Sequence, residues 1–321
     1  MTDPQAVASR YSPPLDRSRL WKAAIKWPMY SVAVMPVLLA AGWRLSVGAP
    51  VRWEQGLGFL LAAVLLLLWE NLSNDLFDAD TGVDAVGKPH SVVALLGRKQ
   101  PVRQWSWLAL VSGLLLMLLL ALRSSPAVLA LVATSCAIGY LYQGPPFRLG
   151  YLGLGEPLCW LAFGPFATAA AVLVLAPSGE PIPWSTALSL GSGPALATAL
   201  VLFCSHFHQV EEDAAHGKRS PVVRLGTARS AALIPWFVGG SLVLEAIPVL
   251  SGSWPPTALL GLLGLPAGVA LMRLLHRYHH QPERIQHSKF LALRFQALNG
   301  LGLSGGLALA PLLGWVPLPP G

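Results

Sequence analysis

The sequence predicts an all-α, polytopic membrane protein with about nine transmembrane helices. Of its 321 residues, 54% are apolar and 12% are charged, whereas about 25% of the residues in a soluble domain are charged. The apolar residues form runs long enough to cross roughly 30 Å of hydrocarbon at 1.5 Å per residue. They do not form the stripes with a 3.6-residue period that mark a surface helix. Both observations indicate that lipid surrounds most of the chain.

The apolar runs predict one transmembrane domain with short polar ends. Residues 1–27 are polar and are expected to remain as a cytoplasmic N-terminal segment, because they lack the apolar core of a signal peptide. Residues 28–316 are expected to form the transmembrane domain, and residues 317–321 a C-terminal tail. The predicted spans are residues 28–47, 56–76, 104–122, 126–142, 155–176, 185–207, 230–250, 256–273 and 290–316.

The lysine and arginine residues predict how these spans are oriented. Cytoplasmic loops of membrane proteins carry an excess of Lys and Arg. With nine spans and a cytoplasmic N-terminus, all but three of the 22 Lys and Arg residues lie on the cytoplasmic side, the exceptions being Arg44, Arg52 and Arg123. The net charge of +7 therefore reflects membrane topology, and we expect no nucleic-acid partner.

Two acidic clusters follow the second and sixth spans, at the same predicted side of the membrane. In the first cluster, Asn71, Asp75 and Asp78 have i, i+4, i+7 spacing, which places them on one face of a helix. Their oxygen atoms suit Mg²⁺, which takes one or two carboxylates and completes its shell with water and phosphate oxygens. We predict that these three residues are catalytic metal ligands, with Asn74 and Asp84 supporting them or contacting a substrate.

The second cluster repeats this spacing with fewer acids. His206, Gln209 and Asp213 are spaced i, i+3, i+7, and Glu212 lies beside them. Asp213 is the predicted catalytic carboxylate and metal ligand. Gln209 through its amide oxygen, or Glu212 through its carboxylate, is the further ligand, and the sequence leaves both open. His206 is expected to orient a ligand or the acceptor substrate.

Basic residues follow each cluster. Lys88 and His90 come after the first, and Lys218, Arg219 and Arg224 come after the second. Carboxylates that bind a divalent cation, together with side-chain cations that bind phosphate, form the arrangement that a diphosphate leaving group needs. We predict direct contacts of Lys88, Lys218 and Arg219 with a diphosphate.

These residues resemble the motifs of the UbiA superfamily of intramembrane prenyltransferases. Residues 71–84, NLSNDLFDADTGVD, are similar to its NDxxD-type first motif. Residues 206–213, HFHQVEED, with GKRSPVVRLG at 217–226, are similar to its second motif and are closer to the MenA branch than to the benzoquinone branch. The GLGE run at 153–156 also resembles the MenA branch, and the sequence HFHQVE at 206–211 is similar to the cyanobacterial and plastid form of that branch.

The resemblance implies a nine-helix fold, Mg²⁺ as cofactor and two substrates. These are a prenyl diphosphate, with phytyl implied as the chain, and a naphthoquinone-type acceptor, either 1,4-dihydroxy-2-naphthoate or 2-carboxy-1,4-naphthoquinone. The resemblance also implies that the acceptor loses its carboxyl group as CO₂, in phylloquinone biosynthesis. The superfamily's tyrosine and lysine after the fourth span correspond to Tyr142 and Arg148, which the resemblance thus implies as diphosphate-binding residues. One departure is that Gln209 stands where much of the superfamily has an aspartate.

Two other functions remain as alternatives. The acceptor could belong to the tocopherol or chlorophyll branch of phytyl transfer. A cation transporter with an acidic mouth belongs to a different class, but transporters place their ionisable residues near the middle of the membrane. The acids of this chain instead concentrate at one end of its spans.

Overall fold

The structure is a computed structural model that describes residues 26–82 and 91–315, together with Trp21 and Ala24. Within these residues there is no β-strand, and the long helices are α1 (Ser31–Ser46), α2 (Trp53–Thr81), α3 (Lys99–Arg123), α4 (Pro126–Gln143), α5 (Gly155–Leu175, with a π turn at Ala162–Phe166), α6 (Trp184–His206), α7 (Thr227–Leu250), α8 (Leu265–Tyr278) and α9 (Ser288–Leu309). A 3₁₀ segment, Pro256–Gly264, leads directly into α8.

Eight segments of the described chain are long and apolar enough to cross a membrane, the 3₁₀ segment and α8 counting as one. The ninth long helix, α9, has 22 residues and contains buried polar residues such as Gln296 and Asn299. The chain is therefore an integral, multi-pass membrane protein. The architecture agrees with the predicted all-α bundle of about nine helices.

The first acidic cluster lies on a helix that is longer than its apolar run. The hydropathy pattern predicts a span at residues 56–76, but α2 has 29 residues and ends only at Thr81. Gly82 terminates it with a left-handed backbone at φ 78°, a conformation that glycine adopts without steric cost. The extra turns keep Asn71, Asp75 and Asp78 on one continuous helix.

The second cluster departs from the expected geometry. The spacing predicts one helical face through His206, Gln209 and Asp213, but α6 ends at His206. A turn follows, and a separate short helix spans Val210–Ala215 with Gln209 as its N-cap residue. The prediction of a single helical face is wrong here, because the chain changes direction between the first and the last of these residues.

The bundle has an inner and an outer set of helices. The segments containing α1, α5 and α6 are the most buried. In each, we consider an apolar stretch of 18 residues, of which 61%, 61% and 72%, respectively, lie inside the protein. In contrast, α3 and α7 expose large apolar side chains such as Leu122 and Trp236, which face lipid. The inner helices therefore form the core around which the outer ones pack.

Close backbone packing holds α9 against the 3₁₀ segment. A Cβ atom at Gly302 would overlap the carbonyl oxygen of Leu260, and one at Gly306 would overlap the carbonyl oxygen of Thr257. The Thr257 hydroxyl donates a hydrogen bond of 2.6 Å to the carbonyl of Gly306. Small residues allow such close approach in membrane proteins.

This packing predicts opposite effects for two glycines on α9. Gly302→Ala should destabilise the protein by about 1–3 kcal/mol, because backbone must move to admit the methyl group. Gly305 has no atom within 4 Å of an added Cβ, so Gly305→Ala should leave stability unchanged or raise it slightly. The midpoint of thermal unfolding in detergent measures both effects. Equal midpoints for the two variants would contradict the close contact.

Candidate active site at the ends of α2 and α6

The end of α2 carries the first acidic cluster into the protein. Asn71, Asp75 and Asp78 lie along one face as predicted, and the two aspartates are 2% and 7% exposed. Buried carboxylates are costly unless they are paired or bind a cation. Their burial therefore indicates a site rather than a solvated helix end.

Asp75 is held by two donors from other parts of the chain. Its Oδ2 accepts a 2.8 Å hydrogen bond from the backbone N–H of Val92, and its Oδ1 lies 3.3 Å from the Lys26 ammonium nitrogen. Val92 begins a short helix, Val92–Leu96, which is capped by the Ser91 hydroxyl. These contacts fix the carboxylate between the start of this short helix and the segment that enters α1.

The second cluster centres on Asp213, which is fully buried. Its Oδ2 lies 3.5 Å from His206 Nδ1, and its Oδ1 lies 3.0 Å from Lys218 Nζ. Burial by itself would raise the pKa of Asp213, but His206 and Lys218 outweigh it and hold that pKa below its ordinary value. Asp213 is therefore a carboxylate at neutral pH.

His206 connects Asp213 to a second carboxylate. Its Nε2 lies 3.4 Å from Oε1 of Glu156, which is buried in the first turn of α5. One imidazole thus bridges two acids that lie 57 residues apart in the sequence. The imidazole orientation is set on both sides, as is common for histidines at ligand sites.

Tyr151 joins the two clusters into one site. Its hydroxyl donates a 3.1 Å hydrogen bond to Oγ1 of Thr81 at the end of α2, and its carbonyl accepts one of 2.8 Å from the backbone N–H of Arg219. Burial raises the pKa of Tyr151, and the charges of Asp78 and Asp213 raise it further against the lowering effects of Thr81 and Arg148. Both carboxylates therefore lie within electrostatic reach of one phenol.

The predicted cations differ in what they contact. Lys218 forms an ion pair with Asp213, whereas the side chain of Arg219 is exposed. Arg224 donates to the carbonyls of Leu152 and Arg219, at 2.7 and 3.0 Å, and so fixes the loop instead of remaining available. Among the described residues, Arg148 has a buried Nε without a hydrogen-bond partner. Arg148 is thus the cation with the clearest remaining capacity for phosphate.

The other predicted residues fall into three groups. Tyr142 is packed in the site, where its ring would clash with a Cβ at Gly150 or Gly155. Asn74 donates a hydrogen bond to Oε1 of Gln143 and so connects α2 to α4. Asp84, Lys88 and His90 lie outside the described residues.

The donor set fits Mg²⁺ held partly by substrate. Within the described residues, no three His, Cys, Asp or Glu side chains converge as a complete metal site. Oε2 of Glu156 and Oε2 of Glu212 are nevertheless buried without a partner in the described chain, and Asp213 is held by its ion pairs with His206 and Lys218. Mg²⁺ needs few protein ligands because water and phosphate oxygens complete its octahedron. Gln209, one of the two predicted further ligands, contacts Asp213 through the backbone: its carbonyl accepts a hydrogen bond from the N–H of Asp213.

Three site residues were not predicted as such from the sequence. From the sequence, Lys26 is one of the basic residues that indicate the membrane topology, and Glu156 is part of the GLGE run. Nothing in the sequence distinguishes Tyr151. Lys26 contacts Asp75 across 49 residues, and no spacing rule predicts such a contact. Glu156 did carry a signal, since it is an acid at the predicted start of an apolar span.

Comparison with known proteins gives consistent findings. The model of the UbiA prenyltransferase family matches residues 33–297. The chain is 41% identical to 2-carboxy-1,4-naphthoquinone phytyltransferase of Synechocystis sp., over 97% of this chain and 100% of the relative. It is 40% identical to the chloroplastic 2-carboxy-1,4-naphthoquinone phytyltransferase of Arabidopsis thaliana, over 92% and 78%. Its fold is similar to a UbiA homologue from Archaeoglobus fulgidus bound to DMAPP and Mg²⁺, with a TM-score of 0.57, 16% identity and coverage of 90% and 98%.

Proposed function

The chain belongs to the UbiA prenyltransferase family, and from this we propose that it transfers a phytyl group from phytyl diphosphate to a carboxylated naphthoquinone-type acceptor in quinone biosynthesis. The acceptor is 2-carboxy-1,4-naphthoquinone or 1,4-dihydroxy-2-naphthoate, and its carboxyl group leaves as CO₂. The observation that carries the proposal is the 41% identity to the Synechocystis phytyltransferase over its entire length.

The site's charges support diphosphate as the leaving group. Arg148 has an unfilled donor, and Arg219, in the loop after the second cluster, is exposed. We assign both, with Lys218 and Lys88, to the phosphate oxygens, and Tyr142 to the wall of the same pocket. The exposed and unfilled cations are those able to form charge-assisted hydrogen bonds to a phosphate.

Mg²⁺ would be held by Asp78, Asp213 and Asp75, with Asn71 and Glu212 or Gln209 completing the set. When bound, it would neutralise the charge that develops on the diphosphate as the allylic C–O bond breaks. His206 and Glu156 hold Asp213 in one orientation through contacts of 3.5 and 3.4 Å along the Glu156–His206–Asp213 chain. The apolar interior of the bundle excludes water, so that the ring carbon of the acceptor, rather than water, forms the new bond.

The atoms balance without a further reactant. The ring carbon that carries the carboxylate bonds to the phytyl carbon, diphosphate takes the electron pair of the C–O bond, and CO₂ departs from the ring. We place the site at the cytoplasmic face, with the N-terminus on the same side, because the lysine and arginine residues concentrate there.

The decisive experiment compares acceptors. Purified protein in lipid nanodiscs with Mg²⁺ and phytyl diphosphate should prenylate 2-carboxy-1,4-naphthoquinone or its dihydroxy form and release CO₂. Homogentisate and chlorophyllide serve as the competing acceptors, and geranylgeranyl diphosphate as a competing donor. Prenylation of a competing acceptor while neither naphthoquinone form reacts would overturn the proposal. Movement of cations across vesicles without any prenylation would favour the transporter instead.

The metal requirement predicts a contrast within one helix. Asp75→Ala and Asp78→Ala should each lower kcat/KM at least about a hundredfold, because each removes a buried carboxylate from the metal site. Asp80→Ala is the matched control, since Asp80 is exposed and pairs with Lys99 at 2.6 Å. EDTA should abolish the wild-type activity, and excess Mg²⁺ should restore it. Full activity in excess EDTA would rule out the metal.

The Glu156–His206–Asp213 chain predicts a role for an acid that the sequence did not assign. Glu156→Gln should lower kcat/KM about 10- to 100-fold and raise the Mg²⁺ concentration for half-maximal rate, because a neutral amide holds the His206 imidazole more weakly than a carboxylate does. Glu180→Gln is the control. Glu180 is exposed and pairs with Arg44 at the opposite end of the bundle. Matching kinetics in the two variants would show that Glu156 does not position the site.

A further inference from the structure

A cavity of about 230 Å³ lies beside the first acidic cluster and is not explained by metal or diphosphate binding. Asn71 and Asp75 form its wall on α2, and Lys26 and Tyr30 form the wall on the segment that enters α1. Trp21 and Trp105 contribute aromatic surface. The cavity therefore combines flat apolar walls with a polar side that adjoins the site.

The size and lining of this cavity suit a small ring system. Pockets for larger organic ligands typically have about 300–1,000 Å³, and an extended prenyl chain needs a long channel. Aromatic side chains stack on or flank flat rings. The polar groups at one side would then meet a substituent of such a ring.

Lys26 is the charged group on that side. Its backbone adopts a left-handed conformation at φ 52°, which is costly for a residue with a side chain and is typical of functional sites. Its side chain is 15% exposed, and its nitrogen lies 3.3 Å from Oδ1 of Asp75. Within the described residues this is the one hydrogen bond of the ammonium group, which carries three N–H donors and so has capacity for a second anion.

Asn71 supplies a further unfilled donor. Its Nδ2 is buried and has no hydrogen-bond partner in the part of the chain that the structure describes. A buried donor without a partner lowers the stability of the protein. An anionic oxygen in the cavity would satisfy both this amide and the remaining donors of Lys26.

We propose that this cavity binds the ring of the aromatic acceptor and that Lys26, assisted by Asn71, recognises the acceptor's carboxylate. The assignment rests on the proposed function, because it takes the acceptor to be a carboxylated bicyclic ring. Lys26 also offsets the charge of Asp75, which would otherwise repel that carboxylate. The prenylated product has lost the carboxylate, so it no longer has the group that Lys26 holds. Lys26 thus favours substrate over product.

The experiment measures the two substrates separately. Lys26→Met should raise KM for the carboxylated acceptor about tenfold or more, because a charge-assisted hydrogen bond is lost, and should leave KM for phytyl diphosphate unchanged. Lys26→Arg keeps the charge and should recover most of the loss. Lys99→Met is the matched control. Lys99 also pairs with an acid near the end of α2, but that acid, Asp80, is exposed. Thermal unfolding of each variant checks that it is folded.

A binding measurement separates recognition from turnover. Calorimetric titration should show that wild-type protein binds 2-carboxy-1,4-naphthoquinone at least about tenfold more tightly than 1,4-naphthoquinone, and that Lys26→Met removes this preference. If Lys26→Met instead raises KM for phytyl diphosphate or the Mg²⁺ requirement alone, Lys26 serves Asp75 and the assignment fails. A wild-type protein that binds both ring compounds equally would overturn it without any variant. Failure of wild-type protein to prenylate either naphthoquinone form would overturn the proposed function itself.

Discussion

Carboxylates buried at the end of a membrane bundle must be paired, and this constraint organises the whole site. An unpaired charge in low-dielectric surroundings is costly, and at the centre of a bilayer it costs about 2.5–3.5 kcal/mol on insertion scales. Asp75 is paired with Lys26 and the backbone N–H of Val92, and Asp213 with His206 and Lys218. The pairings of Asp75 join the entry to α1 with the end of α2, and those of Asp213 hold the loop after α6 against the end of that helix. Tyr151 connects these two halves through Thr81 and the backbone of Arg219.

The fold and half of the site follow from rules that act over short distances. The hydropathy pattern predicts the bundle because each span is an independent apolar run, and the i, i+4, i+7 spacing places Asn71, Asp75 and Asp78 on one face because α2 is continuous. The length of α2 was underpredicted because its last turns are polar. For the second cluster the spacing rule failed, since α6 ends at His206. His206 and Asp213 still meet, but across a turn.

The residues that the sequence could not assign are those whose partners are far away. Lys26 contacts Asp75 across 49 residues, and Tyr151 contacts Thr81 across 70. Such contacts depend on how the helices pack against one another. The spacing of residues within one segment does not predict them. Lys26 was interpreted as a topology signal because a basic residue before a first span normally is one. In the folded chain the same charge also neutralises an acid and borders a cavity.

Buried polar groups occur at both ends of the bundle, but those at the site differ in kind. Away from the site, Glu245 and Asn299 bond to each other at 2.8 Å and so connect α7 to α9, while Oε1 of Glu245 and Oδ1 of Asn299 keep no partner among the described residues. At the site end, Asn71 Nδ2 and Arg148 Nε are unfilled donors, and Oε2 of Glu156 and of Glu212 are unfilled acceptors, again among the described residues. Each unfilled buried group lowers stability. Substrates that carry both anionic oxygens and a divalent cation would fill the donors and the acceptors of the site together.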